Sequence, residues 1–231
     1  MIGEPAAIRA WRPQEFGRRS FRKIDDPLIE PVWIGVRALV HVAPAGVDIV
    51  DDVGEPAERL AASDALRPAV LATSAVIDGY LTLQALDRPP ILYSGPDVEQ
   101  PTSTSFFRQM FLGNLGENRR ERLRELEQRL EPQPTGAIDP NAVFVAVDLL
   151  MLDDEPLLDV PLLERKRLLD SIVEEGPLVR IGIHVRPPIG TWLATWRAAG
   201  FRSLAYKHAN SRYRPGEQND DWAITPIPAQ R

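Results

Sequence analysis

The 231-residue sequence contains no cysteine, which excludes disulfides, thiolate metal centres and cysteine nucleophiles together. Lysine is almost as scarce: Lys23, Lys166 and Lys207 are the only three among 27 basic residues. Any chemistry that needs an amine nucleophile therefore has three candidates. No apolar run is long enough to cross a bilayer, and residues 1–19 hold no apolar core resembling a signal peptide, so no membrane role is expected and the expected location is the cytoplasm. A net charge of −6 argues against strong, unassisted binding to a polyanion. With 44% hydrophobic and 26% charged residues the chain is globular. Its length suits one well-cored domain and is short for two independent enzymes.

The basic residues that are present are unevenly spread. Residues 9–23 hold Arg9, Arg12, Arg18, Arg19, Arg22 and Lys23 against Glu15 alone, interleaved with Trp11, Phe16 and Phe21. Such a stretch reads in two ways: as an arm that contacts nucleic acid, or as a surface segment whose aromatics pack on the parent domain. Residues 1–27 are accordingly expected to form an N-terminal arm, and residues 28–231 one domain.

Within that domain the clearest local signal is alternation. Val32, Ile34, Val36, Ala38, Val40 and Val42 are all apolar, whereas Trp33, Gly35, Arg37 and His41 between them are bulky, flexible or polar, the pattern of a half-buried strand. Ala43-Pro44-Ala45-Gly46 supplies turn chemistry, and Val47-Asp48-Ile49-Val50 returns as the second arm of a hairpin. Further along, residues 56–66 read as a helix stopped by Pro68, residues 70–77 as a strand, and Asp78-Gly79 as a turn or bulge before residues 80–83. Prolines leave residues 86–104 as loop with a brief strand at 91–93, and residues 118–131 read as a charged helix with a leucine stripe. Residues 142–150 are apolar on both faces, as a doubly buried strand would be. A helix opened by Pro161 runs to Ile172, with Lys166 expected on its solvated face. A strand at 179–185, a helix at 191–199 that places Trp192 and Trp196 on one face, and a strand at 203–207 complete the pattern.

Several of these segments also carry a resemblance. Glu30, Gly35 and Arg37 stand at the spacing with which the adenylation domain of ATP-dependent DNA ligases opens its active site: Glu, a free position, the nucleophilic Lys, any residue, Asp, Gly, any residue, Arg. Val76-Ile77-Asp78-Gly79-Tyr80-Leu81 is similar to the segment whose Asp-Gly-Glu contacts the nucleotide ribose. Val147-Asp148-Leu149-Leu150 resembles the Phe-Asp-Leu-Leu strand end, and Pro161-Leu162-Leu163-Glu164-Arg165-Lys166-Arg167-Leu168-Leu169 resembles the helix that follows it. Arg202-Ser203-Leu204-Ala205-Tyr206-Lys207 is similar to Glu-Gly-Leu-Val-x-Lys, and the segment from Ser211 through Trp222 to Pro226 resembles the approach to Trp-x-Lys-x-Lys. The likeness spans residues 28–226 in order. It implies an α+β fold of mainly antiparallel sheets flanked by helices, and a family chemistry that uses ATP and Mg²⁺.

At the positions that carry that chemistry the sequence departs. Val32 stands where the nucleophilic lysine belongs, Ile34 where the Asp belongs, Tyr80 for the ribose Glu, Val147 for the adenine-stacking Phe and Arg202 for the metal carboxylate. Ile224 and Pro226 take the places of the terminal lysines. Glu30, Gly35, Arg37, Asp78, Asp148 and Lys207 survive. They line a remnant phosphate or nucleic-acid pocket, or they are structural, with Arg37 paired to Asp78 or Asp148, Asp78 turning with Gly79, and Lys207 snorkelling at a strand end. The leading expectation is a pseudoenzyme with no cofactor that binds a protein or DNA-repair partner, with contacts to DNA made through the arm. An active or auxiliary ligase and a nucleotide or polyanion sensor are the alternatives. The sequence ends soon after Trp222, so no OB-fold domain of the ligase type is expected within it.

Overall fold

A computed structural model describes residues 10–57, 60–84 and 138–228. The expected loop at 86–104, strand at 91–93 and helix at 118–131 lie outside the described residues, as does Arg9. In the first part of the chain the elements are β1 (Glu15–Phe16), β2 (Pro27–Pro31), β3 (Val36–Ala43), β4 (Gly46–Asp51), α1 (Ala61–Ala69) and β5 (Ala75–Thr82). The second part adds β6 (Val143–Leu152), β7 (Glu155–Pro156), α2 (Leu162–Ile172), β8 (Val179–Ile181), α3 (Gly190–Ala198), β9 (Ser203–His208), β10 (Gln218–Asn219) and β11 (Trp222–Pro226). This is the expected α+β class with mainly antiparallel sheets. No helix among the described residues is long and apolar enough to cross a membrane.

The hairpin predicted from valine alternation is β3–β4, in register from Val42 opposite Val47 to Ala38 opposite Asp51. It belongs to a six-stranded sheet in which β4, β3, β5, β6 and β7 follow one another antiparallel and β8 joins β6 in parallel. Residues 143–151 of β6 are all buried, which is why both faces of this strand are apolar. On one face Val40, Ile77, Phe144 and Leu149 pack with Leu66 of α1 and Leu169 of α2 in the largest apolar cluster. A second sheet, ordered β11–β9–β2 and fully antiparallel, joins an early strand to two late ones.

Four local expectations are corrected or narrowed. The strand does not run unbroken from Val32: β2 ends at Pro31, residues 32–35 cross from one sheet to the other, and β3 starts at Val36. Alternation continues through the crossing because Trp33 is buried there in an apolar cluster with Ile29, Val147 and Phe201. Of the turn or bulge expected at Asp78 and Gly79 the structure has the bulge: both lie inside β5, where the pairing with β6 shifts register between them. α1 begins at Ala61 rather than residue 56, with Pro68 in its last turn, and β8 is shorter than the strand predicted over 179–185.

The N-terminal segment is held closely. β1 pairs in parallel with β10, and Trp11 and Phe16 pack on the cluster that contains Trp222, Tyr213 and Leu28. Gly79 leaves no room for a side chain: a β-carbon there would fall 2.4 Å from the Phe144 ring and 2.5 Å from the Val145 carbonyl oxygen. Both neighbours are core atoms, so Gly79→Ala is expected to destabilise the fold by about 1–3 kcal/mol through overpacking. Urea denaturation should show a lower midpoint with unchanged slope; a midpoint equal to wild type would contradict this packing.

Candidate functional site

The crossing at residues 32–35 is where the resemblance places a nucleophile, and backbone demands shape it first. Val32 N–H donates to the Ser203 carbonyl at 2.9 Å. The Thr82 hydroxyl donates to the Ile34 carbonyl at 2.6 Å, and Gln84 accepts from Ile34 N–H at 3.1 Å while donating to Ala199 at 3.0 Å. At Gly35 a β-carbon would fall 2.1 Å from the Leu81 carbonyl oxygen. The glycine is thus explained by close backbone approach alone. Val32 and Ile34 are half-buried hydrocarbon on this braced segment.

On β2 side chains alternate, so Leu28 and Glu30 face one way while Ile29 faces the other. Leu28 lies opposite Lys207 and Glu30 opposite Ala205, which makes Lys207 the diagonal neighbour of Glu30. Its ammonium sits 2.8 Å from Glu30 Oε2. The other carboxylate oxygen, Oε1, pairs at 2.7 Å with Lys166 from α2. Lys166 also donates to the Val147 carbonyl at 2.8 Å, and the Lys207 ammonium lies 4.2 Å from the centre of the Trp222 ring. One carboxylate therefore clamps two lysines, and side-chain exposure is 3% for each lysine and 6% for the acid. Burial pushes the Glu30 carboxyl up, but the two ammonium groups more than offset it and bring it down to about 2.

A second group of ions lies beyond the Trp222 ring. Asp78 and Asp148 are direct cross-strand neighbours on β5 and β6, and both are fully buried. Like charges in that position repel, and each is answered by its own arginine in a two-pronged pair. Arg37 meets Asp78 at 3.0 and 2.6 Å, and Arg165 meets Asp148 at 2.8 and 2.7 Å. The Tyr213 hydroxyl donates to Asp78 at 2.8 Å and accepts from Gln14 N–H at 2.9 Å. Arg37 lies 5.7 Å from the centre of the Trp222 ring and 6.0 Å from that of Tyr80, so Trp222 is bordered by both ion groups. Burial pushes the Tyr80 phenol up to about 12. His184, half-buried, is driven down to about 4 by burial and by Lys166, Lys207 and Arg186 against the pull of Glu30, and is neutral at pH 7.

The survivors named from sequence are thus brought together: Glu30 with Lys207, and Arg37 with Asp78 beside Asp148. Lys207 does not snorkel to a strand end but is buried in a pair. Lys166 corrects the sequence reading most sharply, since it lies inside rather than on a solvated face. Arg165, Tyr213, Gln14 and Trp222 were not anticipated as partners. Helical phase was the available signal: Leu162, Arg165, Lys166, Leu169 and Ile172 form the buried stripe of α2, spaced as one face. Of the departing positions, Val147 is buried in the Trp33 cluster, whereas Arg202 and Ile224 are exposed.

The donor set does not suit Mg²⁺ and a triphosphate. A hard cation needs several free oxygen ligands, yet Glu30, Asp78 and Asp148 each already hold cations of the protein. Among the described residues no three carboxylate or imidazole groups converge as a metal site.

No family model and no curated protein matches the sequence. Solved structures do. The ligase domain of LigD from M. tuberculosis is similar with a TM-score of 0.57 and 21% identity, over 93% of this chain and 58% of that one. A mycobacterial DNA ligase D complexed with ATP and MES is similar with a TM-score of 0.54 and 19% identity, over 93% and 59%. A Lig E DNA ligase gives 0.50 and 12%, over 93% and 68%. The fold is therefore that of the adenylation domain of ATP-dependent DNA ligases, and the chain spans under three-fifths of the length of the two ligase D structures.

Removing the shared carboxylate should be costly, because two ammonium groups would be left buried against each other. Glu30→Gln is expected to lose about 3–5 kcal/mol of stability at neutral pH. A carboxyl whose folded value is depressed stabilises fully above its ordinary value of 4.5 and stops doing so as pH falls to about 2. The stability difference between wild type and Glu30→Gln should therefore shrink as pH falls from 4.5 towards 2. A constant difference across that window in denaturant titrations would refute the clamp.

Proposed function

We propose that this chain is a non-catalytic domain of the DNA-ligase fold, a pseudoenzyme that acts by binding a protein or DNA-repair partner and not by forming a lysine–AMP intermediate. The observation that carries the reading is the pairing of Glu30 with both Lys166 and Lys207. Self-adenylation needs an amine with a free lone pair at the α-phosphate. An ammonium that is ion-paired with Glu30 offers none, whether it also donates to the Val147 carbonyl, as Lys166 does, or to Glu30 itself, as Lys207 does. Lys23, the remaining lysine, is exposed in a single 3₁₀ turn at Phe21–Lys23. Val32, at the place the resemblance gives to the nucleophile, is hydrocarbon.

Between partner classes, charge favours a protein. Arg18 and Arg19 of the N-terminal segment sit beside Asp220 and Asp221: Arg18 N–H donates to the Asp220 carboxylate at 3.0 Å, and Arg19 lies 3.8 Å from Asp221. Arg12 donates to the Trp11 carbonyl at 2.7 Å. Arg22 and Lys23 are exposed, but so are Asp25 and Asp26 next to them. A polyanion would meet a mixed surface here, and binding by phosphate neutralisation needs a net positive one. A polyanion sensor remains the second reading on one observation: three buried carboxylates face four cations, the half-buried Arg37 and the buried Arg165, Lys166 and Lys207, leaving positive charge in surplus.

Incubation with α-labelled ATP and Mg²⁺ followed by denaturing electrophoresis should leave the protein unlabelled. The double variant Val32→Lys with Ile34→Asp should stay unlabelled too, because Arg202, Ile224 and Pro226 supply none of the charge stabilisation that adenylyl transfer requires. Label on either protein would overturn the reading. ATP should bind only at millimolar concentration or weaker, given that each lost charge-assisted contact is worth about 1.5–3 kcal/mol. Micromolar affinity without label would select the sensor.

A further inference from the structure

Where the N-terminal segment meets the end of β9, the fold leaves a cavity of about 270 Å³. This is below the range of sites that enclose a drug-sized ligand, so it suits a single chemical group. Its lining brings together Arg19 and Asp25 from the approach to β2, His208 from the end of β9, Arg212 and Arg214 from the loop that follows, and Asp221 from the turn before β11. The backbone that carries these side chains is pinned from below. Asn219, which is buried, donates to the Arg212 carbonyl at 3.1 Å and accepts from Asp221 N–H at 2.9 Å. Arg214 N–H donates to the buried Gln14 side chain at 2.6 Å, and His208 N–H to the Asp221 carbonyl at 2.9 Å.

The side-chain heads are less occupied than the backbone. Arg19 stands 3.8 Å from Asp221, beyond hydrogen-bond length. Arg212 engages Asp159 through one of its guanidinium nitrogens. The Arg214 guanidinium and the His208 imidazole have no hydrogen bond or ion pair among the described residues. A frame held by buried amides, with donors left open above it, is pre-organised for an acceptor.

Charge says which acceptor. Three guanidinium groups against two carboxylates leave the cavity positive, although the chain as a whole carries −6. Guanidinium forks match the oxygens of a phosphate, and arginine clusters are a recurring means of recognising phosphorylated side chains. A carboxylate, singly charged and with two oxygens, would satisfy only part of this donor set. A run of phosphates fits poorly, because Asp26 and Asp220 are exposed beside the lining aspartates and Asp159 is exposed beside Arg212; the neighbouring phosphates of a strand would meet acid. We propose that this cavity binds one phosphate monoester, carried on a serine or threonine side chain of a partner protein, with Arg19, Arg212, Arg214 and His208 as its donors. The inference rests on the binding reading above and names the chemistry by which the partner is held.

The test uses the full chain and a fluorescein-labelled, end-capped glycine–alanine peptide with one central phosphoserine. Anisotropy should show it binding about tenfold more tightly than the same peptide with serine or glutamate at that position. Among the three histidines, His41, His184 and His208, only the His208 imidazole signals should move in NMR spectra as the phosphopeptide is added. Arg214→Ala removes an exposed guanidinium that holds nothing in the fold; it should leave the urea midpoint unchanged and weaken binding about tenfold, as loss of one charge-assisted contact does. A 5′-phosphorylated DNA oligomer should not compete at equal concentration. No binding, equal binding of the serine or glutamate peptide, indifference to Arg214→Ala, an unmoved His208, or a DNA oligomer that competes on equal terms would each overturn the site. The two claims separate cleanly. Unlabelled protein that ignores the phosphopeptide sinks the site alone, whereas protein labelled by ATP that still binds it sinks the non-catalytic reading alone.

Discussion

The structure depends on one carboxylate that serves two amines. Glu30 sits on the edge strand of the smaller sheet, and through Lys166 and Lys207 it ties that strand to helix α2 and to the strand beside it. Because Lys166 also reaches the Val147 carbonyl on β6, the clamp spans both sheets and a helix with two side chains. A single apolar contact could not do this, since hydrocarbon packing has no direction. Charges held at 2.7–2.8 Å with almost no solvent access fix where the sheets meet.

Around the clamp the same logic repeats. Asp78 and Asp148 would repel across adjacent strands were it not for Arg37 and Arg165, and each acid takes one further donor, the Tyr213 hydroxyl on Asp78 and the Leu149 N–H on Asp148. Such buried pairs are poor sources of net stability, because desolvation costs about as much as attraction returns, but removing one member is severe. The layer therefore resists piecemeal change. Three protein carboxylates already pair with the four cations of this layer. Val32, Ile34 and Val147 are hydrocarbon, half-buried or buried, and that burial is favourable at about 25 cal/mol per Å².

Much of the fold was legible because strand period and burial agree. The β3–β4 hairpin, the doubly buried β6 and the paired tryptophans of α3, stacked at 5.7 Å, follow from pattern alone. Legibility failed where one pattern served two structures. Alternation runs from Val32 to Val42 although the strand breaks at residues 32–35, because Trp33 is buried in the crossing itself. Asp78-Gly79 fits a turn or a bulge equally from sequence, and it is the bulge: the aspartate is paired inside β5 and the glycine makes room for Phe144. Lys166 was misplaced because Glu164, Arg165, Lys166 and Arg167 are all charged, so local polarity concealed the helical phase set by Leu162, Leu169 and Ile172. Pairing partners such as Tyr213 and Gln14 lie about two hundred positions apart in sequence, beyond any local signal.

With three lysines in the chain, the clamp can be read directly. Selective ¹⁵N labelling of lysine side chains, observed by NMR near neutral pH and low temperature, should show two ammonium signals protected from exchange with water, and the third, from Lys23, broadened by it. Glu30→Gln should abolish both protected signals, or shift both, while leaving Lys23 untouched. Three equally fast-exchanging ammonium groups, or a neutral amine signal from Lys166 or Lys207, would mean that a lysine in this layer is free to act and would contradict the account.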